Sequence, residues 1–304
     1  TKAAEMSTPE FAEKYLFTPL GIEDYHWVQD PQGIFWGGTQ LYLTPRDMAR
    51  FGMLYLHKGR NQEEQLIPER WVDESTRWRH SVDTHSGYGY WWWRIPASEG
   101  YVAAGWGGQR IGVFPRKELV IVVTAANQHH ARYIFQQLHA GITPIDALDD
   151  NPAAFTRLTS LVDQLAKPVD AKADRIPETA ASISGTKYRF ASNPLSISSM
   201  SISFDQADTA KLEMQVDGRS LQMAVGLDGT YRVTPGVAMD SHREDNAAAV
   251  RARWHDERLI VDWHEIGEPL RVKSTLMFED NKVLAIVKSL PMGRISHLEG
   301  TMVE

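Results

Sequence analysis

Five consecutive residues, Gly105-Trp106-Gly107-Gly108-Gln109, have the composition of a segment that acts through its backbone. Glycine is unfavourable inside a regular strand, and it is favoured where a ligand or a second backbone must approach closely. Backbone amides that are exposed at such a place can hold a carbonyl oxygen while it acquires negative charge. The segment therefore predicts an oxyanion-binding site, and a bulge or a barrel corner is the structural alternative.

The residues on either side of this segment predict the strands that position it. We expect a first strand that begins at Tyr101, carries the glycines as a kink and lies at an exposed edge of a sheet. Leu119–Val123 is a continuous β-branched run, which is typical of a strand buried on both faces. The polar, proline-containing segment 115–118 predicts the turn between the two strands.

Amphipathic segments before and after these strands predict flanking helices. A threonine N-cap followed by proline predicts the first two helical starts, at Thr8 and Thr44. The predicted elements around the glycine segment are helices over 8–16, 45–56, 69–75 and 130–140, and a strand over 87–93.

The order of these segments resembles the serine β-lactamase and penicillin-binding-protein superfamily. The resemblance is carried by the strings FAEKYLFTPLGI, TPRDMARFG, ILP and GWGGQ, over roughly residues 8–140. It is closest to the class C-like branch, which includes esterases, D-aminopeptidases and 6-aminohexanoate-dimer hydrolases. The resemblance implies an α+β fold for residues 1–145, an antiparallel sheet with flanking helices, incomplete in this chain.

The resemblance also implies roles for individual residues. The backbone N–H of Gln109 would be one oxyanion donor, beside Gly107 and Gly108 on the floor of the substrate cleft. Trp106 stands where the family often has lysine or histidine, which implies an apolar acyl or amide substrate, and Arg110 is a nearby positive charge.

Three further aromatic residues are candidates for the rim of the cleft. They are Tyr25, Trp27 and Trp36, which lie in a turn-rich segment. Ordinary packing is the alternative role for all three, because aromatic side chains bury large apolar areas in any core.

The family's nucleophile motif, Ser-x-x-Lys, and its proton-relay motif, Tyr-x-Asn, lie upstream of Thr8 in the family pattern. The one Ser-x-x-Lys string here, Ser184 to Lys187, carries a glycine and no helix signal, so we do not expect it to be catalytic. We therefore expect an N-terminal segment of the same protein to carry the nucleophile, and this chain alone to be inactive. A catalytically inactive binding or regulatory protein that retains the fold is the alternative.

The C-terminal half has a different sequence pattern. Residues 146–182 combine a predicted helix over 149–167, capped by Asn151, with a polar, proline-containing stretch typical of a domain boundary. From residue 183 to 304, short alternating strands separated by turns such as Asp217-Gly218 predict an antiparallel barrel. This region resembles the lipocalin-like domain appended to some superfamily members, with either a filled core or a ligand-binding interior.

Composition excludes several function classes. The net charge of −7 and the lack of a large basic cluster argue against a nucleic-acid partner. No apolar run reaches the roughly 20 residues of a transmembrane helix. Since the chain has no cysteine, it has neither disulfides nor thiolate metal sites, and no cofactor is predicted. The resemblance implies a periplasmic or extracellular serine hydrolase acting on a small amide, ester or peptide.

Overall fold

The computed structural model describes residues 4–83, 86–95, 100–143, 149–165, 167, 176–238 and 246–303. The chain divides into two compact units, Thr1–Asp149 and Asp150–Glu304. The first mixes helices with antiparallel strands and the second is an antiparallel barrel, so the predicted order of an α+β unit followed by an all-β barrel is confirmed. The proposed domain boundaries at 145 and 182 stay predictions, and residues 146–148, 166 and 168–175 of the expected linker lie outside the described residues.

The first helical segment is longer than predicted. Its N-cap is Ser7, not Thr8: the Ser7 hydroxyl accepts from the Glu10 N–H, and the Glu10 carboxylate accepts from the Ser7 N–H at 2.7 Å. This capping box satisfies two backbone donors at once, which explains the choice of Ser7. Gly21, at a φ of +67°, ends the segment. Its consecutive parts are α1, a single π turn and α2: Thr8–Ala12, Glu13–Phe17 and Thr18–Leu20.

Three further helices of this unit lie close to their predicted positions. Thr44 caps the second of the predicted helices by accepting from the Asp47 N–H at 3.2 Å, as its sequence suggested. Asn127 caps the last one through the N–H groups of His129 and His130. The three are α3, α4 and α5: Pro45–Leu56, Glu69–Thr76 and Gln128–Gly141.

The strands of the first unit form two short hairpins and one larger sheet. The hairpins pair β1 with β2 and β3 with β4: Tyr25–Trp27 with Leu41–Leu43, and Arg60–Asn61 with Glu64–Gln65. The sheet has the order β10-β9-β8-β7-β6-β5, with every pair antiparallel. In chain order its strands β5 to β10 are His80–Ser81, Gly87–Tyr88, Trp93–Ile95, Gly100–Ala104, Arg110–Phe114 and Leu119–Val123.

Two strand predictions are wrong in this sheet. The glycine segment is not a kink within an edge strand: it is the turn between β8 and β9, and both strands lie inside the sheet. The turn forms because Gly107 and Gly108 take φ values of +79° and +108°, which leave the extended region. The segment 87–93 is likewise a hairpin of β6 and β7, since Trp91 has a φ of +67°.

The sheet buries both of its faces, because successive side chains of a strand point in opposite directions. On β9, Ile111 and Val113 pack with Tyr55 of α3. Phe114, from the other face of the same strand, packs with Phe135 of α5 at a ring separation of 5.9 Å. The β8–β9 turn is therefore anchored in a sheet that is held between two helices.

The second unit begins with two helices and continues as a barrel. Helix α6 is Pro152–Leu165, with Asn151 accepting from the Ala154 N–H as predicted, and helix α7, Glu178–Ile183, was not predicted. The strands β11 to β20 are Lys187–Phe190, Ile197–Ser203, Thr209–Val216, Arg219–Gly226, Arg232–Pro235, Ala247–His255, Arg258–Ile266, Arg271–Glu279, Lys282–Leu290 and Arg294–Met302.

The barrel closes on itself. Its strand order is β14-β13-β12-β11-β20-β19-β18-β17-β16-β15. A parallel bridge between Gly226 of β14 and Arg251 of β16, the last strand but one, closes the ring. The described strands thus form a nine-strand ring with β15 alongside β16. Nine of the ten strands lie within about two residues of the strands that the sequence pattern predicts, which are 185–190, 197–204, 211–216, 220–225, 231–233, 248–255, 258–265, 270–279 and 282–290. Strand β20 was missed because its sequence, RISHLEGTM, lacks a clear apolar alternation.

None of the described helices combines the length and the apolar character that a bilayer crossing requires.

Candidate oxyanion-binding turn

The turn between β8 and β9 leaves several backbone donors without an acceptor among the described residues, and the Gln109 N–H is one of them. The Gly105 N–H donates to the Gln109 carbonyl at 2.8 Å, but the Gly105 carbonyl accepts from the Gly108 N–H at 3.3 Å. The reciprocal hydrogen bond from the Gln109 N–H is therefore not formed, and no other group of the described residues accepts from it. A backbone N–H in this state is available to an acceptor that comes from outside.

Helix α5 supports the turn from behind. A Cβ atom placed on Gly108 would lie 2.6 Å from the Ala131 Cβ and 3.2 Å from the Asn127 carbonyl oxygen. Only glycine fits that contact and also takes the φ of +108° without strain. The twin glycines thus let the turn press against the first turn of α5, which holds the backbone of Gln109 in place.

The side chain of Gln109 holds the other side of the turn. Its amide nitrogen donates to the Ala125 carbonyl at 2.8 Å, and its amide oxygen accepts from the Ala125 N–H at 3.0 Å. These two bonds tie the turn to the chain just beyond β10. Sequence reasoning missed Ala125, and no signal could have found it, because it contributes only backbone atoms.

Trp106 and Arg110 flank the glycines, and they differ in exposure. The Trp106 side chain is 56% exposed at the tip of the turn. Arg110 is half-buried, with its guanidinium 6.0 Å from the ring of Phe135 of α5. Burial, reinforced by the nearby charge of Arg132, lowers the pKa of Arg110. The structure thus gathers residues 105–110 in one turn, with Arg110 on the sheet face that α5 covers.

The three predicted rim aromatics belong to another part of this unit. Tyr25 packs on Phe17 at a ring separation of 4.7 Å, and burial, with a contribution from Glu13, raises the pKa of Tyr25. The Trp27 indole N–H donates to the Trp36 carbonyl at 2.7 Å. Within the described residues, no ring contact joins Trp106 to this group. Packing accounts for Tyr25 and Trp27, and a role at the rim stays a prediction.

The Ser-x-x-Lys string of the barrel has a structural role, in agreement with the sequence analysis. The Ser184 hydroxyl accepts from the Phe204 N–H at 2.9 Å, and Lys187 is an exposed residue at the start of β11. Neither residue contacts a base or an anion-binding turn among the described residues. As for metals, the described part of the chain contains no cluster of three or more histidine, aspartate or glutamate side chains that could hold an ion.

Comparison with known proteins gives a family match for the first unit and structural matches for both. The family model described as Beta-lactamase matches residues 1–138. A putative 6-aminohexanoate-dimer hydrolase from Bacillus anthracis is 24% identical, with a TM-score of 0.38, over 45% of this chain and 39% of that protein. The chain thus spans well under half the length of that hydrolase. A search of curated proteins found no match.

The barrel has its own structural matches. The fatty acid-binding protein of Drosophila melanogaster brain tissue is 11% identical, with a TM-score of 0.31, over 40% of this chain and 99% of that protein. Lipid binding protein 8 of Caenorhabditis elegans is 12% identical, with a TM-score of 0.32, over 43% of this chain and all of that protein.

Proposed function

Because residues 1–138 of this chain belong to the serine β-lactamase-like superfamily, we propose that they form one wall of a serine hydrolase site. The site would cleave an amide or ester bond through an acyl-enzyme. The observation that carries this proposal is the unused N–H of Gln109, in a turn supported by α5 on one side and by Ala125 on the other. Donors that are fixed before the reaction stabilise a developing oxyanion most effectively.

The chemistry assigns distinct tasks to this chain and to an upstream segment. A serine Oγ on the upstream segment attacks the substrate carbonyl carbon and passes its hydroxyl proton to the tyrosine–lysine relay of that segment, which later delivers the proton to the leaving group. The carbonyl oxygen becomes an oxyanion that accepts from the Gln109 N–H. The leaving amine or alcohol takes a proton as its bond to the carbonyl carbon breaks, and water then hydrolyses the acyl-enzyme. The Ser-x-x-Lys and Tyr-x-Asn motifs that this requires would lie in an N-terminal segment of the same protein.

Trp106 supports a preference for apolar acyl or amide substrates. It is exposed at the tip of the turn, at the position where the family often has a positively charged residue. In the protein that includes the upstream segment, Trp106→Lys should shift the preference toward substrates that carry a carboxylate near the scissile bond. The check is kcat/KM for a matched pair of esters with and without that carboxylate. An unchanged ratio would contradict this role for Trp106.

Labelling with an activity probe tests the proposal as a whole. A fluorophosphonate or penicillin-type probe should label one serine of the upstream segment in the longer protein, and no serine in residues 1–304 alone. The alternative is a catalytically inactive binding or regulatory protein that retains the fold. Failure to label the longer protein, together with an upstream sequence that lacks both motifs, would favour that alternative.

A further inference from the structure

The interior of the barrel contains a cavity of about 300 Å³. Most of its lining is apolar, from residues such as Leu212, Met214 and Leu276, so the filled-core alternative for the barrel is wrong. The volume lies at the lower end of the range of about 300–1,000 Å³ that is typical of small-molecule sites. The polar exceptions in the described lining are Trp263, Ser274 and Ser289.

Trp263 is the unusual member of this lining. Its side chain is 4% exposed, and its indole Nε1 is buried without a hydrogen-bond partner among the described residues. Nearly all buried polar groups in folded proteins are paired, and an unpaired one costs about 1–3 kcal/mol. An acceptor carried by a ligand in the cavity would satisfy this N–H.

The strand register brings the polar groups of the lining together. Trp263 of β17 lies opposite Val272 of β18, and Val272 lies opposite Ser289 of β19. Ser274 is two residues further along β18, on the same face as Val272. Trp263 and the two serines therefore occupy adjacent rows of one wall, whereas the lining contributed by β12 and β13 is apolar.

The charge of the lining limits what the ligand can carry. None of the described lining residues is charged, so a carboxylate in the cavity would be buried without a cation partner. The next residue of β17 that faces the interior is Glu265, which is 2% exposed and accepts from the Asn246 side-chain N–H at 3.0 Å.

We propose that the barrel binds a neutral amphiphile in this cavity: a short apolar chain with one hydrogen-bond-accepting group, such as an ester or amide carbonyl, that accepts from the indole N–H of Trp263. The apolar body fills the part of the cavity lined by β12 and β13, and the polar group lies against the wall of Trp263, Ser274 and Ser289. A free carboxylic acid, which is ionised at neutral pH, binds much more weakly.

Isothermal titration of the 304-residue chain with methyl octanoate and with sodium octanoate at pH 8 tests the ligand class. The ester should bind, and the carboxylate should bind at least tenfold more weakly, because its charge finds no partner. Failure of the ester to bind, or binding of the carboxylate with equal or greater affinity, would overturn the proposal. This comparison needs no variant, so it does not depend on the folding of one.

A pair of variants tests the role of the indole N–H. Trp263→Phe should weaken binding of methyl octanoate about three- to tenfold through the loss of one hydrogen bond. Trp254→Phe is the matched control, because its Nε1 is also buried without a partner but Trp254 does not line the cavity. Affinity that is unchanged in Trp263→Phe, or that falls equally in both variants, would contradict the assignment.

A third variant tests whether the ester binds inside the barrel cavity. Ala285 lines the cavity from β19 and is 4% exposed. Ala285→Leu narrows the cavity and should weaken ester binding at least tenfold, with circular dichroism confirming that the barrel is folded. Unchanged binding in a folded variant would place the ester elsewhere and would overturn the proposal.

Discussion

The glycine turn at 105–109 and the interior of the barrel offer binding groups of opposite kinds. The turn presents a backbone N–H, and the glycines around it allow the positive φ values and the close approach of α5 that hold this N–H in place. The barrel presents side chains from a regular ladder whose backbone groups are already paired, so its recognition depends on which side chains face inward. A change of residue should therefore act on backbone geometry at the turn and on volume or hydrogen bonding in the barrel.

The largest expected effect is at the turn. Gly108→Val adds a side chain at a φ of +108° and drives its Cβ to within 2.6 Å of the Ala131 Cβ. Strain and overpacking together should lower the free energy of unfolding of the first unit by about 3 kcal/mol. Urea denaturation, with hydrogen exchange of the β8 and β9 amides as the probe, measures this loss of unfolding free energy. Gly37→Ala is the control, since a Cβ there meets nothing within 4 Å, and equal losses in both would contradict the packing argument.

The next effect separates backbone positioning from simple stability. Gln109→Ala removes both hydrogen bonds to Ala125, so the donor N–H is held less firmly. In the protein with its upstream segment, kcat should fall about tenfold with little change in KM, because the N–H acts mainly in the transition state.

Gln109→Glu is the matched variant for this prediction. It can still accept from the Ala125 N–H, but its other carboxylate oxygen faces the Ala125 carbonyl oxygen and adds negative charge near the oxyanion, so its kcat should fall at least as far as that of the Ala variant. A rise in KM with kcat unchanged in either variant would show that Gln109 supports substrate binding instead of the oxyanion.

A smaller, pH-dependent effect is expected in the barrel. Arg232 donates to Asp228 at 3.0 and 3.1 Å, and these bonds hold the pKa of the Asp228 carboxyl well below its usual range. A lowered folded pKa stabilises the fold above the unfolded pKa of about 3.9, and this stability is lost as the pH falls toward the folded value. Barrel stability should therefore decline progressively below about pH 4.

Asp228→Asn should remove this part of the pH dependence and should lower the free energy of unfolding by about 1 kcal/mol at pH 7, since the pair is partly exposed to solvent. Thermal unfolding at pH 7 and pH 3, with the exposed Asp205→Asn as control, measures both effects. An unchanged pH profile in Asp228→Asn would show that other carboxyl groups control the acid response.

The smallest expected effect concerns Ser184 and Lys187, the two ends of the Ser-x-x-Lys string in the barrel. Ser184→Ala removes the acceptor of the Phe204 N–H, which should lower the free energy of unfolding by less than about 1 kcal/mol. Hydrolysis and probe labelling in the longer protein should not change, and Lys187→Met should behave in the same way. A loss of labelling in either variant would move the chemistry from the first unit to the barrel.

Much of the fold could be predicted, because local signals specify it. The Thr44 and Asn151 caps mark helix starts, and apolar alternation with short polar turns such as Asp217-Gly218 marks most strands of the barrel. The errors occur where a local signal has two structural outcomes. Three glycines in five residues fit a kinked strand or a turn, and only the pairing of β8 with β9 decides between them.

The sequence by itself located the glycine-rich segment, the Thr44 and Asn151 helix caps and most strands of the barrel, since residue type and spacing control local conformation. The family resemblance added the candidate donor at Gln109. Tertiary structure alone decided that Ala125 holds the Gln109 side chain, that α5 excludes any Cβ at Gly108 and that Trp263 meets Ser274 and Ser289 in one wall of a cavity. These are contacts between residues distant in sequence. Strand pairing and helix packing bring them together, and no local pattern records the pairing partner.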